Sequence, residues 1–211
     1  GEPAEETVKD AEEAMYKRKS LNRKAVGSEM IGTIMETLHE KSPREKRHSE
    51  SMSRICQGIG RAMNMPETEI RKLKDAGYLH DIGKINIPEG MLMKTDKLTP
   101  EEWEVLKSHP RMAVEIVENI DSLKDMVPVI LHHHERFDGT GYPDGLKGEE
   151  IEYLARVLAV ADSFDAMTSV RPYQQKKTYD QAIEELIRCS GTQFDPDIVK
   201  VFIRAIRDHD Y

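Results

Sequence analysis

Five of the eight histidines in this sequence, His80, His109, His132, His133 and His134, lie between positions 80 and 134, and three of them are consecutive. His80 is followed directly by Asp81. Neighbouring side chains at a helix end diverge by about 100°, which still lets an imidazole and a carboxylate flank one ion. The carboxylate adds what a lone imidazole lacks, a second oxygen with which to bridge two metals. In isolation such a dipeptide is more often a capping aspartate beside a surface histidine. Its setting reverses that balance, because His48 lies upstream, His109 downstream, and His133-His134 and Asp162 complete a set of five histidines and two aspartates. Five imidazoles and two carboxylates fill two octahedral-type sites that share one bridge, with positions left for water and substrate. This nitrogen and oxygen mixture suits iron, manganese or nickel, whereas structural zinc is held four-coordinate and closed. Two such ions hold a phosphate and generate a hydroxide nucleophile at neutral pH. Phosphoester hydrolysis is the chemistry that follows.

The elements that must position these residues read as helices throughout. Apolar residues at helical spacing predict helices over about Ser28 to Glu40, Arg44 to Met63, Pro66 to His80, Pro110 to Glu118, Leu123 to His134, Ile151 to Met167, Tyr179 to Cys189 and Pro196 to Asp208. Gly83 is expected to end the helix that carries His80. Thr99-Pro100-Glu101-Glu102 is a capping box opening a helix with Trp103 and Leu106, while Thr178 with Gln181, and Asp195 before Pro196, start the last two. Phe137 to Lys147, with three glycines and a proline, must be a loop. Strand-like alternation is essentially absent, so the fold class is all-α. The charged stretch from about Val8 to Lys24 reads as a connector helix, giving two parts: 1–27 as linker and 28–211 as the metal-bearing domain.

Composition narrows the partners. The 211 residues carry 39 acidic against 31 basic side chains and a formal net charge of −8, without a basic, aromatic-studded stripe, which counts against a nucleic-acid polymer. No apolar run approaches the ~18 residues of a membrane span, and Gly1 to Glu6 have no signal-peptide character. A cytoplasmic location is expected, with Cys56 and Cys189 as free, core-filling thiols.

The sequence resembles the HD-GYP phosphodiesterases of the HD metallohydrolase superfamily. The resemblance rests on His80-Asp81-Ile82-Gly83-Lys84-Ile85, on His132-His133-His134-Glu135-Arg136-Phe137-Asp138-Gly139-Thr140-Gly141-Tyr142-Pro143, on Ala161-Asp162-Ser163-Phe164-Asp165-Ala166-Met167-Thr168 and on Gly191-Thr192-Gln193-Phe194-Asp195-Pro196, and it runs from about residue 30 to 207. It implies an HD-type helical bundle, two divalent transition-metal ions, and hydrolysis of a cyclic dinucleotide, chiefly cyclic di-GMP, to the linear dinucleotide or on to GMP. By resemblance one ion falls to His48, His80, Asp81 and Asp162, and the second to Asp81 as bridge with His109, His133 and His134. His132 has no ligand counterpart and reads as packing or as a donor to a carboxylate. His39 and His209 are expected to face solvent.

Lys84, one turn beyond His80, is placed to reach a phosphate oxygen or protonate the leaving alkoxide, although without the cluster it would be an ordinary surface lysine. By resemblance, Gly141, Tyr142 and Pro143 belong to the signature loop beside the substrate, with an exposed turn as the plainer reading. Arg171 is expected to clamp a phosphate; many relatives carry a basic residue just past Arg171-Pro172-Tyr173, where this chain has Gln174. Some family members bind a third metal through a glutamate four residues before the first histidine ligand. Here Arg44 stands at that position, a permanent cation that implies a binuclear centre and hydrolysis stopping mainly at the linear product. The first 24 residues are similar to the closing helix of sensory or GGDEF-type modules, which implies an upstream sensor; homodimerisation is left open. Two other readings remain: a catalytically weak domain that binds the dinucleotide or a partner protein, and another HD-type nucleotide phosphohydrolase.

Overall fold

A computed structural model describes Met15, residues 25–169 and residues 176–208. The connector expected over Val8 to Lys24 (Met15 apart), Arg171 to Gln174, and His209 lie outside the described residues.

The described chain is helical, with one isolated β-bridge, Ser190 to Phe194, and no strand among the described residues. Helix α1 covers 25–41 and stops at Ser42, whose Oγ accepts the Glu45 N–H at 3.4 Å and so caps α2, Pro43–Ala62. Pro43 sits in the first turn, where its missing N–H costs nothing. Met52, Cys56 and Ile59 of α2 are buried, and α3, Glu67–Leu79, packs along it. After a 3-10 helix, Ile82–Asn86, come α4, Glu89–Leu92, α5, Pro100–Lys107, α6, His109–Val117, and α7, Val127–Leu131.

Helix α8, Tyr153–Thr168, is apolar around most of its circumference, with Leu154, Ala155, Val157, Leu158, Val160, Ala161 and Phe164 all buried. Such a helix belongs at the centre of a bundle. It packs against α2, α3 and α7, and against α9, Tyr179–Arg188, and α10, Pro196–Asp208. Each fully buried Leu or Ile side chain in that core contributes about 1.5–3 kcal/mol. The capping boxes at Thr99 and Thr178 are formed, and Asp195 Oδ1 accepts from the Asp197 and Ile198 N–H groups as the start of α10 requires.

Four expectations are corrected. The helix expected from Leu123 to His134 is α only over Val127–Leu131, because Pro128 fits only a first turn and Leu131 is followed by a turn that carries His132 to His134. Gly83 does not terminate a helix: α3 ends at Leu79, and Gly83 lies inside the 3-10 helix pressed against α6, where a Cβ would stand 2.0 Å from the His109 carbonyl oxygen. His39 is half-buried edge-on against Tyr78, at 6.0 Å between ring centroids, because it shares the inner side of α1 with the fully buried Leu38. Cys56 is buried as expected, but Cys189 is only half-buried, at the end of α9.

Candidate metal centre

Five segments converge on one point. His48 comes from the second turn of α2, His80 and Asp81 from the turn after α3, His109 from the first residue of α6, His133 and His134 from the turn after α7, and Asp162 from α8. All seven residues expected as ligands are brought together. Their donor atoms fall into overlapping groups, His48/His80/Asp162, His80/Asp81/His133 and His109/His133/His134, with the atoms of each group within 4.8 Å of one another. Asp81 stands between them: its Oδ2 lies 3.2 Å from His80 Nε2 and 3.4 Å from His48 Nε2, while its Oδ1 lies 3.2 Å from His109 Nε2.

The backs of the rings are fixed by the backbone. His80 Nδ1 donates to the Gly77 carbonyl at 2.8 Å, His109 Nδ1 to Leu106 at 2.7 Å and His133 Nδ1 to Ile130 at 2.6 Å. A carbonyl can only accept, so these nitrogens carry ring protons and each Nε2 is the atom turned to the centre, with a lone pair for a metal in the neutral form of the ring. His109 Nε2 and His133 Nε2 stand 3.3 Å apart with no carboxylate or carbonyl between them. That donor set fits a cation. Burial and the surrounding imidazoles push His133 well below the usual histidine range, and burial with the neighbouring His109 pushes His134 down to about 3, so both are neutral. Burial works against ionising Asp81 and Asp162, yet His80 and Lys84 hold the first, and His48 and His80 the second, below the ordinary carboxylate range. Neutral imidazoles and ionised carboxylates are the forms that bind divalent ions.

His48 is held differently. Its Nδ1 donates at 2.7 Å to Asp165 Oδ2, and Asp165 Oδ1 accepts from Ser51 and from Ser169. Burial opposes a charge on His48, but the Asp165 hydrogen bond, with Asp81 and Asp162, raises it to about 10.

A cavity of about 190 Å³ opens beside the centre, and Arg44, Lys84, Trp103 and Tyr142 line it. Lys84 Nζ lies 2.6 Å from Asp81 Oδ2 and 3.2 Å from the buried Glu45 Oε2. Burial disfavours the ammonium, but these carboxylates raise its pKa and keep it protonated. Arg44 lines the same cavity and makes no ion pair among the described residues.

The loop that holds Gly141, Tyr142 and Pro143 is fastened to the turn that bears His133 and His134. The Tyr142 ring stacks on His134, with centroids 4.8 Å apart and planes at 29°, and Tyr142 N–H donates to the His134 carbonyl. Gly141 lies flat on the Glu135–Arg136 backbone, where a Cβ would stand 2.3 Å from the Arg136 nitrogen; the Tyr142-Pro143 peptide is cis. Glu135, itself buried, accepts the Asp144 and Gly145 N–H groups on Oε1. His132 Nε2 meets Asp144 Oδ2 at 3.1 Å, the carboxylate partner expected of it, and Arg111 takes Asp144 Oδ1.

Sequence reasoning missed Asp165, Glu45 and Glu135 as working parts of this site. A signal existed for two of them: Asp165 follows Asp162 by one helical turn, and Glu45 precedes His48 by one, so each shares a helix face with a candidate ligand.

The sequence matches the HD domain family over residues 32–198. It is 41% identical over 164 residues to a cyclic di-GMP phosphodiesterase of Thermotoga maritima, covering 77% of this chain and 45% of that protein. It is 43% identical over 158 residues to the cyclic di-GMP phosphodiesterase response regulator RpfG of Xanthomonas campestris, covering 74% and 42%. The chain thus spans less than half the length of these relatives. Among solved structures, Bd1817, an HDG"Y"P protein of Bdellovibrio bacteriovorus, superposes with a TM-score of 0.64 at 17% identity, over 87% of this chain and 62% of that one, a likeness of fold.

Proposed function

The chain belongs to the HD domain family, in its HD-GYP type, and from that membership we propose that it hydrolyses a cyclic dinucleotide, cyclic di-GMP first, in a metal-dependent reaction within bacterial second-messenger signalling. The observation that carries this reading is the split of Asp81, one oxygen toward the His48/His80 pair and the other toward His109. His48, His80, Asp81 and Asp162 would hold one divalent ion, and Asp81, His109, His133 and His134 the other; iron and manganese suit these donors best, with nickel next. Such ions supply Lewis acidity toward a phosphate oxygen and lower the pKa of coordinated water.

The chain's own groups do the rest. Lys84, protonated and anchored on Glu45, offers its remaining N–H to a phosphate oxygen or to the departing 3′ oxygen. Tyr142 braces His134, and burial with the nearby Asp81 and Asp162 raises its pKa and keeps the phenol protonated. Arg44 offers a second cation at the mouth where a third ion would otherwise need a carboxylate. Hydrolysis then stops mainly at the linear dinucleotide. Arg171, outside the described residues, stays in this reading as a phosphate clamp, and an Arg171→Ala chain should show a raised KM at unchanged metal content.

Metal analysis of freshly purified protein, paired with turnover of cyclic di-GMP and of mixed cyclic GMP-AMP, tests the reading. Two ions per chain and release of linear dinucleotide are expected. Tight dinucleotide binding without turnover at any metal loading would replace the enzyme by a binding module.

A further inference from the structure

The metal cavity is much smaller than the ligand proposed for it. Its volume is about 190 Å³, whereas drug-sized ligands alone fill pockets of roughly 300–1,000 Å³, and a cyclic dinucleotide carries two purines on a twelve-membered sugar-phosphate ring. One phosphate fits the cavity, and the bases must lie at its mouth. What the mouth offers a base is Trp103. The indole lines the cavity yet is 46% exposed, an open aromatic face beside a polar, metal-ready floor.

The backbone beneath Trp103 is fixed. Glu102, its neighbour, accepts the Thr99 N–H at 2.7 Å to close the capping box of α5, and Lys94 pairs with the same carboxylate. One turn on, Leu106 lines the cavity too, and its carbonyl receives the proton of His109 Nδ1. The face of α5 that carries the indole therefore carries the anchor of a metal-facing histidine, which fixes the distance from platform to centre. Platforms placed in advance bind without the entropy of ordering themselves.

We propose that Trp103 is the purine platform of this site, stacking on one base of the dinucleotide whose phosphate enters the cavity, an inference that rests on the cyclic-dinucleotide reading above. Stacking tolerates any purine, since every base has a π-face, so Trp103 would serve cyclic di-GMP and mixed cyclic GMP-AMP alike and leave the choice between them to edge contacts.

Trp103 is the sole tryptophan of the chain, so its emission reports on this position alone. The metal-loaded protein is titrated with a hydrolysis-resistant phosphorothioate of cyclic di-GMP, by fluorescence and by calorimetry. Saturable quenching with the calorimetric Kd is expected. Trp103→Ala should weaken binding about ten-fold or more with metal content unchanged, and Trp103→Phe should recover most of the loss. Binding that leaves the emission untouched, or a Trp103→Ala chain that binds as tightly, overturns the platform while the phosphodiesterase reading stands. Failure of the unaltered chain to bind or turn over any cyclic dinucleotide overturns both.

Discussion

Asp165 of α8 accepts the Nδ1 proton of His48 of α2 across 2.7 Å, and Ser51 and Ser169 in turn fill the other carboxylate oxygen. The plane of the His48 ring is therefore set from behind, by a carboxylate where His80, His109 and His133 use backbone carbonyls. Asparagine in place of Asp165 keeps the shape and removes the charge. Asp165→Asn should lower the affinity of the His48 side of the centre about 10- to 100-fold, read by competition with a chelator, with turnover recovering at excess metal. An unchanged affinity would reduce Asp165 to a packing role.

Asp81→Asn should lose turnover and bind fewer ions per chain. An amide has one oxygen, and its nitrogen would face either His109 or the His48/His80 pair, so one half of the centre is left without its acceptor. Elemental analysis beside a turnover assay checks this; full occupancy with normal turnover would refute the bridge.

Lys84 is best tested together with Glu45, since removing the ammonium alone strands a buried carboxylate. The pair Lys84→Met with Glu45→Gln should keep its metal and lose about 10²-fold or more in kcat. A kcat within a few-fold of the unaltered chain would leave Lys84 a structural cation.

Gly83→Ala forces a methyl to within 2.0 Å of the His109 carbonyl and 2.6 Å of the Ala113 nitrogen, and both are backbone atoms that have no rotamer to change. The 3-10 helix and α6 must separate. A cost of about 3 kcal/mol is expected, which for a chain of this size lowers Tm by roughly 10 °C. Circular dichroism melting of the metal-free protein measures it; an unchanged Tm would show that the contact yields freely.

The residues that converge on the candidate centre were legible because ligand chemistry admits few residue types and because the motifs around His80, His133 and Asp162 are distinctive. Helices with clean caps, such as α9 behind Thr178 and α10 behind Asp195, were legible for the same local reason. The misses are non-local. Gly83 looks like a helix stop until α6 is seen to lie on it, and the task of Asp165 depends on Ser51 and His48, more than a hundred positions earlier in the chain. The extent of α7 is shorter than the sequence suggests because Leu123, Met126, Val127, Ile130 and Leu131 carry one helical period through two kinds of backbone turn.

The separation of 117 positions from His48 to Asp165 also bears on how the chain acquires its structure. Donors are collected from α2 through α8, so no stretch that ends before α8 can assemble the full set, and the loop between the first and last donors must close before they meet. Contacts of that span slow folding. An ion that binds only the finished arrangement adds its binding free energy to the stability of the whole bundle. If the proposed ions bind there, metal supply would govern resistance to proteolysis and lifetime in the cell as well as turnover, and starvation for the ion would remove the polypeptide along with its activity.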